Sequence, residues 1–359
     1  MVFYDRQEDI NRFKAVLSGE PNLVYFVYGP INSGKTALLM KVFSELSDNY
    51  RVFYINFRWR DVEKIEDLLQ VLFEVRYGDN EKDIKSFVKD LLKGGAKVLG
   101  KLKGIPIPER IFDYLFRDSK KVEDVFRYLE IVFEEMEEVS LRPVFVLDEI
   151  QTIKEIVNES GGPVLNGLFN FLVGMTKERH LCHCLCSTSD CLFIEDIYSN
   201  ARLEGRAKYI LVDDLDKYKA FEVYNGFGFN DKDLVWEYVG GKIGDMVSLL
   251  EEKKQGYSEP EALNRILRDE VARLDDLFER IGAGNIKMIF ESKEVIIRID
   301  KVKNVLRLFK DKTKVSKKEI DPIYRHFLVQ ENLLFYNPVE GVIRSQSRLL
   351  QRAMSELLR

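Results

Sequence analysis

Gly29-Pro30-Ile31-Asn32-Ser33-Gly34-Lys35-Thr36 is the stretch on which the reading of the chain turns. It matches G-x-x-x-x-G-K-[ST] in full, and its surroundings are those the pattern requires. Before it, residues 22–28 (NLVYFVY) are a short apolar run of aromatic and β-branched types that reads as a buried strand. After it, Ala37, Leu38, Leu39, Val42 and Phe43 recur at helical spacing, so a helix starts near Gly34 and ends before Asn49. Glycines let such a loop curl until backbone N–H groups and the helix N-terminus face a phosphate chain. On this reading Gly29, Pro30, Asn32, Ser33, Gly34, Lys35, Thr36 and Ala37 line ATP or ADP. Lys35 contacts the β- and γ-phosphates, and the Thr36 hydroxyl ligates Mg2+. The competing reading is a glycine turn with no ligand.

Four more runs resemble the first: 51–57 (RVFYINF), 143–147 (PVFVL), 181–186 and 209–212. Their hydrophobic residues follow one another rather than alternate, which suits a parallel sheet covered on both faces. Five strands separated by helical stretches predict a three-layer α/β/α domain over residues 1–215. Between the second and third strands, about 60–140, the pattern is mainly helical, broken at Gly94-Gly95 and at Gly104-Ile105-Pro106-Ile107-Pro108. Residues 216–280 are again mainly helical, interrupted at Gly240-Gly241, and predict a small helical lid. From 281 to 359 the order is a helix over 302–309, a short helix after Ser316, a helix over 322–332, and two strands, 333–336 and 341–344. Three helices and a hairpin predict a winged helix.

Val144-Phe145-Val146-Leu147-Asp148-Glu149 is an apolar strand that ends in two acids. Downstream of a phosphate loop, Asp148 is expected to hold the Mg2+ water shell. Glu149 then orients or deprotonates the attacking water as general base. Two solvated acids after a strand are the alternative. Ser187-Thr188-Ser189 follows the fourth strand and offers a polar group near the γ-phosphate, with Thr188 the first candidate. Transition-state charge in phosphoryl transfer is commonly neutralised by an arginine from the same or a neighbouring chain. Arg206, just before the fifth strand, and Arg202 are the candidates; a surface arginine is the alternative for each.

Taken together, Gly29 to Thr36, Val144 to Glu149, Ser187-Thr188-Ser189 and Gly205-Arg206 resemble the archaeal branch of AAA+ and STAND-type P-loop ATPases. The opening Phe3-Tyr4-Asp5-Arg6-Gln7-Glu8-Asp9 is similar to that family's start, and the resemblance implies that Tyr4 and Arg6 lie over the adenine. The end of the chain, from Asn332 to Pro338 and from Ile343 to Ser347, is similar to the family's C-terminal winged-helix segment. The resemblance covers nearly the whole chain. It implies strand order 5-1-4-3-2, a lid and a winged helix, and a role for Asn56 in holding Glu149 inactive until a partner or ligand binds. For Asn56 an ordinary strand-end polar residue is the alternative. One departure stands out: Gly240-Gly241-Lys242-Ile243 has Ile243 where the family's lid element commonly has proline.

Composition bounds the rest. At 359 residues the chain exceeds one ordinary core, and 45% hydrophobic with 32% charged residues marks a folded protein rather than a disordered one. No apolar run is long enough to cross a bilayer, so a cytoplasmic protein without a membrane partner is expected. Cys182, Cys184, Cys186 and Cys191 crowd into one short segment, poor placement for a disulfide framework. Alternate residues of a strand are also too far apart to converge on one zinc ion, so buried, reduced thiols are expected. Net charge is -5, yet Lys301 to Lys318 holds eight basic residues against one acid, Asp311. That island could meet DNA phosphates, dock a protein client or simply be solvated. The expected function is a Mg2+-dependent ATPase acting as a molecular switch, with a possible oligomer in play. The alternative is a nucleotide-regulated DNA-binding protein with slow hydrolysis.

Overall fold

The computed structural model describes residues 6–59, 62–76, 105–116, 122–154, 156, 163–198, 200–284 and 286–358. The chain forms two compact units. One comprises Gln7–Tyr28 and Lys35–Leu211; the other comprises Met1–Arg6, Gly29–Gly34 and Val212–Arg359.

The strands of the first unit are β1 (Val24–Tyr28), β2 (Tyr50–Asn56), β3 (Phe73–Arg76), β4 (Ile105–Pro108), β5 (Arg142–Asp148), β6 (His183–Thr188) and β7 (Ala207–Leu211). Five of them make one sheet in the order β2-β5-β6-β1-β7, and all four pairings are parallel. Every residue of β6 is buried, and so are six of the seven in β2 and in β5. Burial of consecutive residues means that both faces are covered, which is why these strands read as continuous apolar runs. Phe133, from the helix Val122–Glu138, packs on Phe53 of β2 and Phe145 of β5 at ring separations of 5.8 and 5.9 Å. Phe26 of β1 meets Phe169 of the helix Val164–Val173 edge-on and stacks on Tyr209 of β7. Truncating a buried phenylalanine such as Phe133 to alanine costs about 3–5 kcal/mol.

The interval expected to be mainly helical holds the helices Ile65–Leu72, Glu109–Phe116 and Val122–Glu138. It also holds a parallel pair, β3 with β4, that the helical reading did not anticipate. The prolines of β4 lack N–H donors, which is tolerable because β4 pairs on one side only. The break at Gly94-Gly95 lies outside the described residues.

The second unit begins after β7 with four helices: Lys217–Phe227, Lys232–Tyr238, Ile243–Lys254 and Glu259–Gly282. Asp216 and Asp231 cap the first two, and a Ser258/Glu261 capping box starts the fourth. Their apolar faces meet around Tyr224, Val235, Met246, Leu249 and Leu263, with Ala353 from the last helix of the chain. Then come a hairpin of β8 (Lys287–Phe290) and β9 (Lys293–Ile296), the helix Ile299–Arg307, β10 (Val315–Ser316) and the helix Pro322–Gln330. β11 (Leu334–Asn337), β12 (Val342–Ser345) and the helix Arg348–Leu357 complete the chain. β10, β12 and β11 form a three-stranded sheet in that order. The β8–β9 hairpin and the last helix are additions to the expected elements. The last helix packs against Glu259–Gly282, and its apolar Leu349, Leu350, Ala353 and Met354 follow helical spacing.

Candidate functional site

β1 stops at Tyr28 and the next helix, Lys35–Ser44, starts at Lys35, leaving Gly29–Gly34 as the connecting loop. Asn32 and Gly34 take left-handed conformations, with φ of 59° and 89°, and so curl the chain. A side chain at Gly29 would sit 2.1 Å from the Val212 carbonyl oxygen, so only glycine fits there. The loop is held by its carbonyl groups. Arg6 donates to the Ser33 carbonyl at 2.6 Å and to the Asp213 carbonyl at 2.8 Å. Lys242 donates to the Ile31 carbonyl at 2.7 Å, and the Gly244 N–H to the Asn32 carbonyl at 3.3 Å. These contacts fix the loop through its carbonyls, while the Ser33 N–H donates within it to the Pro30 carbonyl at 3.2 Å.

The residues that grip the loop are tied to one another. Lys242 is buried, with its Nζ 3.7 Å from an Asp214 carboxylate oxygen. Arg344 of β12 pairs with Asp213 and lies 3.7 Å from Asp214. Burial pushes the Asp214 carboxyl up, while Lys242 and Arg344 pull it down. Gly241 allows this approach, since a Cβ there would lie 1.8 Å from the Leu215 carbonyl oxygen. Ile243, in the place of the lid proline, puts its Cδ1 3.1 Å from where a Cβ on Gly34 would be. Arg6, expected over the adenine, is thus engaged with the loop and Asp213 backbone; Tyr4 lies outside the described residues.

In the first unit a second cluster forms around Asp148, at the end of β5. The parallel register sets Asn56 of β2 opposite Asp148, and Ser187 of β6 opposite its other side. Asp148 Oδ2 accepts from the Thr36 hydroxyl at 3.0 Å, from the Asn56 amide at 3.3 Å and from the Tyr54 hydroxyl. Oδ1 accepts from the Glu149 N–H at 3.1 Å. Burial first, then the neighbouring carboxylate, push the Tyr54 hydroxyl far above the usual tyrosine range, so it stays a donor.

Glu149 leaves the strand in a left-handed conformation, φ 60°, which is costly for a residue with a side chain. Its carboxylate meets Arg58 at 2.6 Å, Gln151 Nε2 at 2.7 Å and Ser189 Oγ at 3.4 Å. The expected pairing of Asn56 with Glu149 is therefore corrected. Register places Asn56 beside Asp148, and Arg58 with Gln151 occupies Glu149 instead. Thr188 is fully buried and donates to Gln151 Oε1 at 2.6 Å, so it reaches Glu149 through Gln151.

Arg206 stands at the end of the sheet away from Thr188. β7 runs parallel to β1, with Ala207 opposite Val24 and Leu211 opposite Tyr28. The phosphate loop follows Tyr28, whereas Arg206 precedes Ala207, so it lies at the opposite edge of the sheet, about 17 Å away along the strand. It is exposed, and its guanidinium donates to the Arg202 carbonyl at 3.2 Å. Arg202 in turn donates to Asn166. The four cysteines are buried and outside any disulfide, and burial pushes the Cys182 and Cys186 thiols well up.

The donor set fits the groups expected. Ser33 Oγ is buried with no hydrogen-bond partner among the described residues, a polar atom suited to a phosphate oxygen. Thr36 and Asp148 present a hydroxyl and a carboxylate to one another, hard oxygen donors of the kind Mg2+ takes. Tyr54, Arg58, Gln151 and Arg344 were not singled out from the sequence. Only Tyr54 carried a signal, two residues before Asn56 on the same face of a strand.

Comparison with known proteins identifies the family of the chain. Residues 3–249 match the model of an ATPase domain predominantly from Archaea, and residues 260–358 match the C-terminal domain of MJ1010-like ATP-binding proteins. The ATP-binding protein MJ0147 of Methanocaldococcus jannaschii is 40% identical over 371 residues, spanning 100% of this chain and 98% of its own length. MJ0801 of the same organism is 39% identical over 386 residues, with 100% of both chains covered. The Walker-type ATPase PABY2304 of Pyrococcus abyssi shares the fold, with a TM-score of 0.61 at 16% identity over 98% of this chain and 96% of its own. Among the described residues no helix is long and apolar enough to cross a membrane. With its loop, its paired acids and relatives of full length, the chain belongs to the family of ATPase domains found predominantly in Archaea.

Proposed function

We propose that the chain is a Mg2+-dependent ATPase that works as a molecular switch of the AAA+/STAND type. The observation that carries this reading is the Thr36–Asp148 hydrogen bond at 3.0 Å, with Glu149 following directly. A threonine hydroxyl that gives its proton to a carboxylate turns its lone pairs outward, ready for a hard cation. Lys35 and the loop N–H groups take the phosphates, Thr36 and Asp148 hold Mg2+, and Glu149 activates water, with Thr188 acting through Gln151. When bound, Mg2+ neutralises charge on the β- and γ-phosphate oxygens.

The switch part of the reading draws on the carbonyl contacts. Residues 1–215 are taken as the ATPase domain, 216–280 as the lid and 281–359 as a winged helix. Lys242 and Gly244 of the lid hold Ile31 and Asn32, and Arg344 of the wing holds Asp213 beside them. A loop that reshapes around ATP alters these bonds and so biases both elements.

Phosphate release from Mg-ATP should be measured for the wild type, Lys35→Ala and Glu149→Gln. Hydrolysis in the wild type and its loss in both variants is expected; equal rates in all three sink the reading.

Binding to DNA is the second reading, favoured by the exposed Lys301, Arg307, Lys310, Lys314 and Lys318. Sequence reading is less favoured, because His326 packs on Phe290 and Arg325 lies over the Tyr336 ring. Retardation of duplex DNA at low salt, lost on charge reversal at Lys310, Lys314 and Lys318, is the test.

A further inference from the structure

We propose that Tyr54 is a positioning residue for the Mg2+ site, its hydroxyl holding the Asp148 carboxylate in the orientation in which Asp148 and Thr36 receive the ion. The inference deepens the ATPase reading and rests on its placement of Mg2+ at these two residues, though not on hydrolysis.

Tyr54 lies two residues before Asn56, so both side chains emerge on one face of β2, and Asn56 is the residue in register with Asp148. Two residues of strand advance about 6.6 Å, which the long tyrosine side chain covers, bringing its hydroxyl alongside the end of β5. There it donates to Asp148 Oδ2 and accepts from the Asn56 amide at 3.2 Å. Thr36 and Asn56 are the other donors to that oxygen, and Asn56, at 3.3 Å, is the more distant. Thr36 cannot serve as an anchor, because it is itself one of the two residues meant to receive the ion. The Glu149 N–H holds the other oxygen, Oδ1, at 3.1 Å, so the rotation that sets Oδ2 depends mainly on Tyr54. The ring is buried, at 3% exposure, so phenylalanine can keep its packing while losing the donor. Partners of this kind typically set metal affinity by about 10- to 100-fold.

The test compares wild type with Tyr54→Phe and Asn56→Ala, using a fluorescent ATP analogue as the probe. Analogue affinity is measured in EDTA and then against increasing Mg2+ and Mn2+. Tyr54→Phe is expected to bind the analogue as the wild type does in EDTA, while its Mg2+ midpoint rises about tenfold or more. Asn56→Ala should shift the midpoint less. An unchanged or lower midpoint in Tyr54→Phe overturns the inference even if the wild type responds to Mg2+ and hydrolyses ATP. Equal loss of affinity with and without metal also overturns it, since that marks a general structural role. A wild type whose analogue binding ignores both metals overturns this inference together with the placement of Mg2+ on which it rests.

Discussion

Arg58 reaches across from the residues after β2 to the Glu149 carboxylate, 2.6 Å away, although its own side chain is 68% exposed. With Gln151 on the other carboxylate oxygen, the proposed general base is engaged on both sides. An ion pair with one exposed partner is weak, roughly 1 kcal/mol or less. Arg58→Ala should therefore release Glu149 toward water and raise basal phosphate release by up to about fivefold. A fall in turnover with unchanged ATP affinity would instead show that Arg58 assists the chemistry.

Arg206 stands at the far edge of the sheet from the loop, so its removal should leave a dilute, single-chain preparation within about twofold of wild-type turnover. Turnover measured across a range of protein concentrations makes the check. A large loss that appears only at high concentration would assign Arg206 to a neighbouring copy; a large loss at every concentration would contradict the placement.

Lys242 serves the Ile31 carbonyl and the largely buried Asp214, whose side chain is 13% exposed, together. Lys242→Met keeps most of the side-chain volume but leaves Asp214 with one cation fewer. Breaking a buried pair from one side costs about 3 kcal/mol. Urea unfolding should show that loss, and ATP affinity should drop because the loop loses a donor. Unchanged stability with normal affinity would mean that the contact neither supports the unit nor shapes the loop.

His183 and Asp245 give the two units opposite responses to acid. Burial first, then Arg142, lower the His183 imidazole to about 4. The unfolded chain takes up its proton near 6.5, so between 6.5 and 4 it binds protons that the folded state refuses. Stability from this group is complete above pH 6.5 and declines as pH falls through that window, by up to about 3 kcal/mol. Asp245 is raised to about 6, mainly by burial, and so contributes stability that is present in acid and lost as pH rises through 6. Hydrogen exchange at pH 7 and pH 5 should show β6 losing protection on acidification while the helix Ile243–Lys254 holds. His183→Gln should abolish the loss in β6; the same loss in that variant would place the acid response elsewhere.

Much of this protein was legible along the chain. The five core strands announced themselves because burial on both faces demands unbroken apolar runs, and the loop from Gly29 to Thr36 because glycine geometry and a lysine must recur at set spacing. Asp148 and Glu149 followed from their place at the end of such a run. Those features are local: each depends on residues within a few positions of one another. The β3–β4 pair was not legible, since it joins segments some thirty positions apart. Which residue faces which across neighbouring strands is likewise set only by register. That register put Asn56 and Tyr54 on Asp148 rather than Glu149 and set Arg206 at the end of the sheet away from Tyr28. It also let Thr188 meet Glu149 through Gln151. The hold of Lys242, Gly244 and Arg6 on the loop joins residues up to about two hundred positions apart. Sequence alone thus determined where the glycine loop and the two acids stand, at the ends of buried strands. Tertiary packing decided what grips them, because buried carbonyls and carboxylates must be satisfied by whatever donors the fold brings near.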